Sequence, residues 1–276
     1  MEQWLRIVKD IKALKIQGAS NVAKAAINAW LVAKDKKKAT EALRRSRPTE
    51  PMLRNVLKYL NEGGDAQKLL KSIDESMQKI ARYGSRLIQN DSVVYTHCHA
   101  STVEMILKEA KNSGKKFEVH VTETRPDYQG RITAANLAKA GIKTTIYVDS
   151  AALAALKNAD IMLIGSDAIT AYGGIVNKIG SYMFAKLANE LETPVYVADI
   201  ALKFDPNTRY GNLEKIEQRS EKEVWPSHPR GVRIVNNVFD FVPNIYINSM
   251  ITEFGIMPYS ELLERVKEAY PWILKV

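Results

Sequence analysis

The chain of 276 residues contains a single cysteine, Cys98, so it closes no disulfide within itself and fits a reducing compartment. No apolar run reaches the roughly 18–20 residues that a membrane span requires, and no membrane partner is expected. The N-terminal MEQWLRIVKDIKAL is amphipathic and lacks the apolar core of a secretory signal, which points to a cytoplasmic location. No C-x-x-C pair exists to complete a zinc shell, and neither a Walker A loop nor G-x-G-x-x-G occurs. No metal or other cofactor is therefore expected. Internal repeats and low-complexity linkers are missing too, which excludes a solenoid.

What is present is a basic chain of net charge +9, suited to an acidic partner or a phosphorylated small molecule. Its first ninety residues read as helical. Trp4, Ile7, Val8, Ile11 and Leu14 recur at spacings of three and four, giving one apolar face. ASNVAKAAINAWLVAKDK is a second helix with Ser20 or Asn21 as cap. RPTEPMLRNVLKYLNEGG is a third, with Thr49 as cap, Pro51 in its first turn and Gly63-Gly64 as its stop. DAQKLLKSIDESMQKIARYGSRLI is a fourth. The basic run between Lys34 and Arg47 lacks interleaved aromatics and reads as a solvated helix face.

From residue 91 the pattern changes. Strand candidates at 93–98, 117–123, 144–149, 161–167, 195–199 and 232–237 mostly alternate with helical stretches. This implies an α/β fold: a helical N-terminal domain (1–90) followed by a Rossmann-like, doubly wound, mostly parallel sheet (91–276). Ligands in such sheets bind beyond the carboxyl ends of the strands. Cys98, Glu123, Asp149, Asp167 and Asp199 all fall there, although acids in these places also serve as helix caps.

Period two along a strand sends Cys98 to one side and His97 and His99 to the other, which argues against a metal trio. A helix starting near Ser101 directs its positive end at Cys98, which would favour a thiolate. In IGSDAITAYGGIVNKIGSY, Gly173-Gly174 reads as a tight turn, with Asn177 and Lys178 opening a helix and making a cradle for a phosphate or another polar ligand. Arg125 belongs to a connection whose charges fix a turn.

THCHAS, VTETRPDYQG, GSDAITAYGGIVNKIGSY, LKFDP and MITEFGIMP run in the order seen in the initiation factor 2B alpha/beta/delta subunit family, and the chain resembles it over nearly its whole length, IQGAS and RPT included. That family also holds ribose-1,5-bisphosphate and methylthioribose-1-phosphate isomerases. The resemblance implies a homodimer formed through the C-terminal domain. It also implies a catalytic cysteine and aspartate for aldose–ketose interconversion, matched here by Cys98, as thiolate base, and Asp167, as protonated acid. The matching ligand-gripping positions are Gln17, Gly18, Ala19, Ser20, Arg47, Ser101, Asn177 and Lys178.

The match is incomplete. Gln17-Gly18-Ala19-Ser20 stands where the isomerases resemble RGAG or RGAP, and Ala100-Ser101 where the bisphosphate branch resembles HCHSK. Ile200 occupies a place where the isomerases tend to carry glutamate. Two functions follow from the resemblance. The first is a regulatory, alpha-type subunit with a sugar-phosphate- or nucleotide-type pocket, binding initiation factor 2. The alternative is an isomerase acting on a ribose 1,5-bisphosphate-like sugar phosphate.

Overall fold

The computed structural model describes residues 2–211 and 218–274. Among these, the helical region comprises α1 (Gln3–Lys12), α2 (Ala19–Val32), α3 (Lys36–Ser46), α4 (Pro51–Asn61) and α5 (Ala66–Ser85). The apolar stripe of α1 buries Trp4 and Ile11 and half-buries Ile7 and Val8. The helix is shorter than expected: Leu14 lies beyond it at a φ of 57°. Helix α2 is entered through Gly18 at a φ of 83°, so neither Ser20 nor Asn21 is the cap. Ser20 sits inside the first turn with its Oγ 3.8 Å from Met77 Sδ, and Asn21 Nδ2 donates to the Gln17 carbonyl at 3.1 Å. Asp35 caps α3 by accepting from the Lys38 N–H at 2.9 Å. Lys34, Lys37, Lys38, Arg44 and Arg45 of the basic run are exposed, as a solvated face requires, while Arg47 is half-buried. At α4 the N-cap is Glu50 rather than Thr49, and its side chain makes no capping bond. Gly63, at a φ of 87°, ends that helix as expected.

The α/β region begins with β1 (Val93–His97), α6 (Ser101–Asn112), β2 (Glu118–Thr122), α7 (Gln129–Lys139), β3 (Lys143–Tyr147), α8 (Ala152–Leu156) and β4 (Ile161–Ile164). It continues through β5 (Ala168–Thr170), β6 (Gly174–Lys178), α9 (Ser181–Glu190), β7 (Val195–Ala198), β8 (Phe204–Asp205) and α10 (Glu221–Val224). It closes with β9 (Phe239–Pro243), β10 (Ser249–Thr252), β11 (Gly255–Met257), α11 (Tyr259–Ala269) and α12 (Pro271–Leu274). The main sheet runs β11-β10-β7-β4-β1-β2-β3 and is parallel except for β11. This is the doubly wound, mostly parallel sheet that the alternating pattern implies. Its centre is the fully buried run Ile161–Ile164, buried on both faces as a central parallel strand must be.

Two expectations are corrected. Segment 232–237 is not a sheet strand: Val232 and Val235 are exposed, and only Asn237 makes an isolated bridge, to Gln218. The place that segment was given belongs to β10, whose Met250 and Ile251 are fully buried beside β7. Asn177 and Lys178 also do not open a helix. The turn at Gly173-Gly174 is real, and a Cβ on Gly174 would lie 2.3 Å from the Val242 carbonyl oxygen. The chain leaves it as β6, held between β5 and β9 in a second sheet ordered β8-β5-β6-β9. The helix starts only at Ser181, behind Gly180.

The helical region is fastened to the α/β region by specific contacts. Gly84 lets α5 approach α6, since a Cβ there would meet Ile106 Cδ1 at 2.4 Å. Asn55 Nδ2 donates to the carbonyls of Leu202 and Phe204, each at 2.8 Å, and Arg54 pairs with Asp205 at 2.5 Å.

Candidate active site

The winding of the sheet dictates where the site lies. From β1 the chain moves outward through β2 and β3, then returns to β4 on the other side of β1. At such a reversal the two following connections diverge and leave a crevice at the carboxyl ends of the strands. Cys98 directly follows β1, and Asp167 lies three residues beyond the end of β4. The two residues chosen from the sequence thus stand at the ends of the adjacent strands that flank the reversal.

Cys98 adopts a φ of 69°, which costs a non-glycine residue about 1–3 kcal/mol unless its surroundings impose it. They do. Its N–H donates to Thr124 Oγ1 at 3.0 Å, its carbonyl accepts from Thr133 Oγ1 at 2.8 Å, and its thiol donates to Gln129 Oε1 at 3.2 Å. Thr124, itself at a φ of 64°, donates its N–H to Asp149 Oδ1 at 2.9 Å. The ends of β1, β2 and β3 are stitched together around the cysteine.

The strand breaks at His97, so strict alternation does not extend to His99. The histidines are nevertheless occupied elsewhere. His97 Nδ1 lies 2.7 Å from Thr122 Oγ1 and its Nε2 lies 2.9 Å from the Ile179 carbonyl. Burial holds its pKa down to about 4, so the ring is neutral. His99 Nδ1 lies 3.1 Å from Thr133 Oγ1.

The expected thiolate is corrected. Burial pushes the Cys98 thiol up to about 12, against the favourable pull of Lys178, and the nearby Asp167 raises it further. The field of α6 does not overcome desolvation, and the resting side chain is a thiol. Burial likewise raises the Asp167 carboxyl above the usual aspartate range, opposed by Lys203 and Lys178. No hydrogen bond or ion pair within 4 Å engages this carboxyl among the described residues, whereas its N–H is fixed to the Val176 carbonyl at 2.8 Å.

Cations surround the pair, each matched to a carboxylate. Lys203 Nζ reaches Asp199 Oδ2 at 2.7 Å and the Ser166 carbonyl at 2.6 Å. Burial would lower its pKa, but Asp199, Glu50 and Asp167 hold it above the ordinary value. Lys178 lies 3.5 Å from Asp127, which Arg219 grips at 2.7 Å. Arg47 lies 3.9 Å from Glu50, and both act electrostatically on the same buried cluster.

Of the sequence-predicted residues, Cys98, Asp167, Lys178 and Arg47 are therefore brought together. Asn177 is structural, donating to Ser181 Oγ at 2.9 Å. Ser101 is exposed at the start of α6. Gln17, Gly18, Ala19 and Ser20 form the entry to α2, where Gln17 Nε2 donates to the Leu14 carbonyl at 2.8 Å; among the described residues no hydrogen bond or ion pair joins them to the sheet edge. The other strand-end acids are supports: Glu123 pairs with Arg131 at 2.6 Å, Asp149 holds the 124–125 turn, and Asp199 holds Ser166 and Lys203. Sequence reasoning missed Glu50, Lys203, Asp127, Thr124 and Gln129. The last three fall within one connection, 122–130, whose charges had been given only the task of fixing a turn.

A cavity of about 260 Å³, lined by Arg125, Pro126, Ile179, Val224, Val235 and neighbouring asparagines, adjoins the His97 end of this cluster. Another of about 270 Å³ opens at the amino ends of the strands, among Asp91, Ser92, Asp160 and Pro194, away from the site.

A strained, fully anchored cysteine and an aspartate without a partner among the described residues, set at a sheet reversal with Lys178 and Lys203 near them, mark a candidate site at the carboxyl edge of a Rossmann-like sheet. The chain belongs to the initiation factor 2 subunit family, whose model matches residues 12–259. A ribose 1,5-bisphosphate isomerase from Thermococcus kodakarensis is 32% identical, with the alignment covering 100% of this chain and 97% of that protein. Five further relatives, 30–34% identical, bear that same name. A putative translation initiation factor eIF-2B subunit 2-like protein from Pyrococcus furiosus is 32% identical over 93% of this chain and 96% of its own length. The crystal structure of a translation initiation factor eIF-2B from Pyrococcus horikoshii superposes with a TM-score of 0.81 at 30% identity, covering 94% of this chain and 98% of that one.

Proposed function

We propose that this protein is an aldose–ketose isomerase acting on a ribose 1,5-bisphosphate-like sugar phosphate. The observation that carries the reading is the Cys98–Asp167 pair. A thiol is held in a strained backbone by bonds at its N–H, carbonyl and Sγ, beside a half-buried carboxyl with no partner among the described residues. The regulatory reading drawn first from the sequence takes second place, because isomerases predominate among the relatives that align over nearly the whole chain.

In an aldose 1-phosphate C1 is an acetal: the ring opens as its oxygen takes a proton from a donor while a base removes the C2 proton, and the resulting enol takes a proton at C1 as its C2 hydroxyl becomes the ketone. A thiol raised to about 12 stays protonated and suits the donor, and a carboxyl raised above the usual aspartate range is, once ionised, the stronger base. The roles are the reverse of those given to the pair from sequence. Lys178 and Lys203 would steady the charge that develops on the substrate oxygens. Homodimerisation through the C-terminal α/β region is part of the proposal, as is a cytoplasmic location.

The test is to incubate the protein with ribose 1,5-bisphosphate and, separately, methylthioribose 1-phosphate, and to follow ketose formation. Turnover that falls by about 10³-fold or more in both Cys98→Ser and Asp167→Asn supports the reading. No turnover of either compound, together with stoichiometric capture of an initiation factor 2 subunit, restores the regulatory one.

A further inference from the structure

Glu50 is buried, makes no use of its position at the start of α4, and has no part in the chemistry above. We propose that Glu50 contacts the ligand directly and selects sugar phosphates that present a neutral hydroxyl, rather than a second phosphate, at its end of the pocket. The inference rests on the isomerase reading of the site and narrows its substrate class from a ribose bisphosphate to a ribose monophosphate with a free hydroxyl at the far end.

Three observations carry it. First, Glu50 is only 5% exposed, and its Oε1 is buried with no hydrogen-bond partner. A buried carboxyl oxygen left unpaired is costly, and a ligand donor removes that cost. Second, Glu50 stands among the charges of the candidate site: Arg47 lies 3.9 Å away, and Lys203, Asp167 and Asp199 act on its carboxyl. Third, the cations there are already matched, Arg47 to Glu50 at 3.9 Å, Lys178 to Asp127 at 3.5 Å and Lys203 to Asp199 at 2.7 Å. One phosphate can compete for Lys178 or Lys203. A second one at the Arg47 end would meet the Glu50 carboxyl beside that guanidinium.

Burial raises the Glu50 carboxyl to about 7, so near neutrality it offers both an acceptor and a donor, as a sugar hydroxyl does. Glu50 makes no capping bond in α4, so replacing it leaves the hydrogen bonds of that helix intact.

The test is calorimetric titration of the wild type, Glu50→Gln and Glu50→Ala with ribose 1-phosphate and ribose 1,5-bisphosphate at pH 8, with ketose formation measured in parallel. Glu50→Ala guards against an unforeseen folding defect in Glu50→Gln. The expected result is a shift of the affinity ratio toward the bisphosphate by roughly tenfold or more in the variants, the size of a single hydrogen bond to a charged group. Binding of both compounds with an unchanged ratio overturns the role of Glu50 and leaves the isomerase reading standing. If the wild type neither binds nor converts either compound, the sugar-phosphate pocket fails and the proposal fails with it.

Discussion

At the scale of single residues, the decisive contest is between desolvation and the fields of nearby charges at Cys98. The sequence showed a helix beginning just after the cysteine, and from that field alone a thiolate followed. It could not show that the thiol is buried at 8% exposure against Gln129, or that Asp167 stands close enough to raise it. Burial decides, and the prediction is a slow thiol. Alkylation by iodoacetamide should be at least tenfold slower at pH 7 than that of an ordinary exposed cysteine, and should rise about tenfold per pH unit through pH 10. A rate that levels off below pH 8 would mean that a thiolate is already populated there. Cys98 and Asp167 were legible because each falls just beyond a strand end and matches the cysteine and aspartate that the family resemblance implies. Glu50 and Lys203 were not, since each becomes a site residue only when α4 packs against the turn at 201–203.

At the scale of elements, position on the strands is what aligns the chemistry. Most of the parallel sheet was legible because its strands are short apolar runs alternating with helices. Segment 232–237 was misread because VRIVNN has the β-branched content of a strand, while its valines lie in solvent. The strand at 174–178 was misread because Gly-Gly followed by a mixed run resembles a helix start, and only its neighbours β5 and β9 make it a strand. The entry to α7 shows how an element carries function. A Cβ on Gly130 would lie 1.8 Å from the Thr122 carbonyl oxygen, a backbone atom that cannot step aside. Gly130→Ala should therefore push the start of α7 off the end of β2 and cost roughly 1–3 kcal/mol in denaturant unfolding. Because Gln129 is the adjacent residue, the same variant should expose the Cys98 thiol and quicken its alkylation. Stability loss without a change in thiol reactivity would separate Gln129 from the control of Cys98.

At the scale of the whole molecule, the helical region and the sheet meet through apolar packing, as at Gly84 and Ile106, and also through buried charged and polar groups, so their union depends on pH. Glu50 is ionised above about pH 4.5 in the unfolded chain, but burial keeps it protonated in the folded one until about 7. The folded state therefore binds more protons between those values, and the stability from this group is present below 4.5 and lost as pH rises through 7. His97 works in the opposite sense. Its folded value of about 4 lies below the unfolded 6.5, so the unfolded state binds more protons and stability is lost as pH falls from 6.5 toward 4. Either slope is at most about 1.4 kcal/mol per pH unit, and over most of the interval the two oppose each other. Glu50→Gln removes one slope and leaves the other. The melting temperature of Glu50→Gln relative to the wild type should climb steadily from pH 4.5 to 7 and then level off, as measured by calorimetry in a series of buffers of equal ionic strength. A difference that stays constant across that interval would mean that Glu50 ionises in the folded protein as it does in the unfolded chain. The carboxyl would then not be desolvated, and the junction between the helices and the sheet would be open to water.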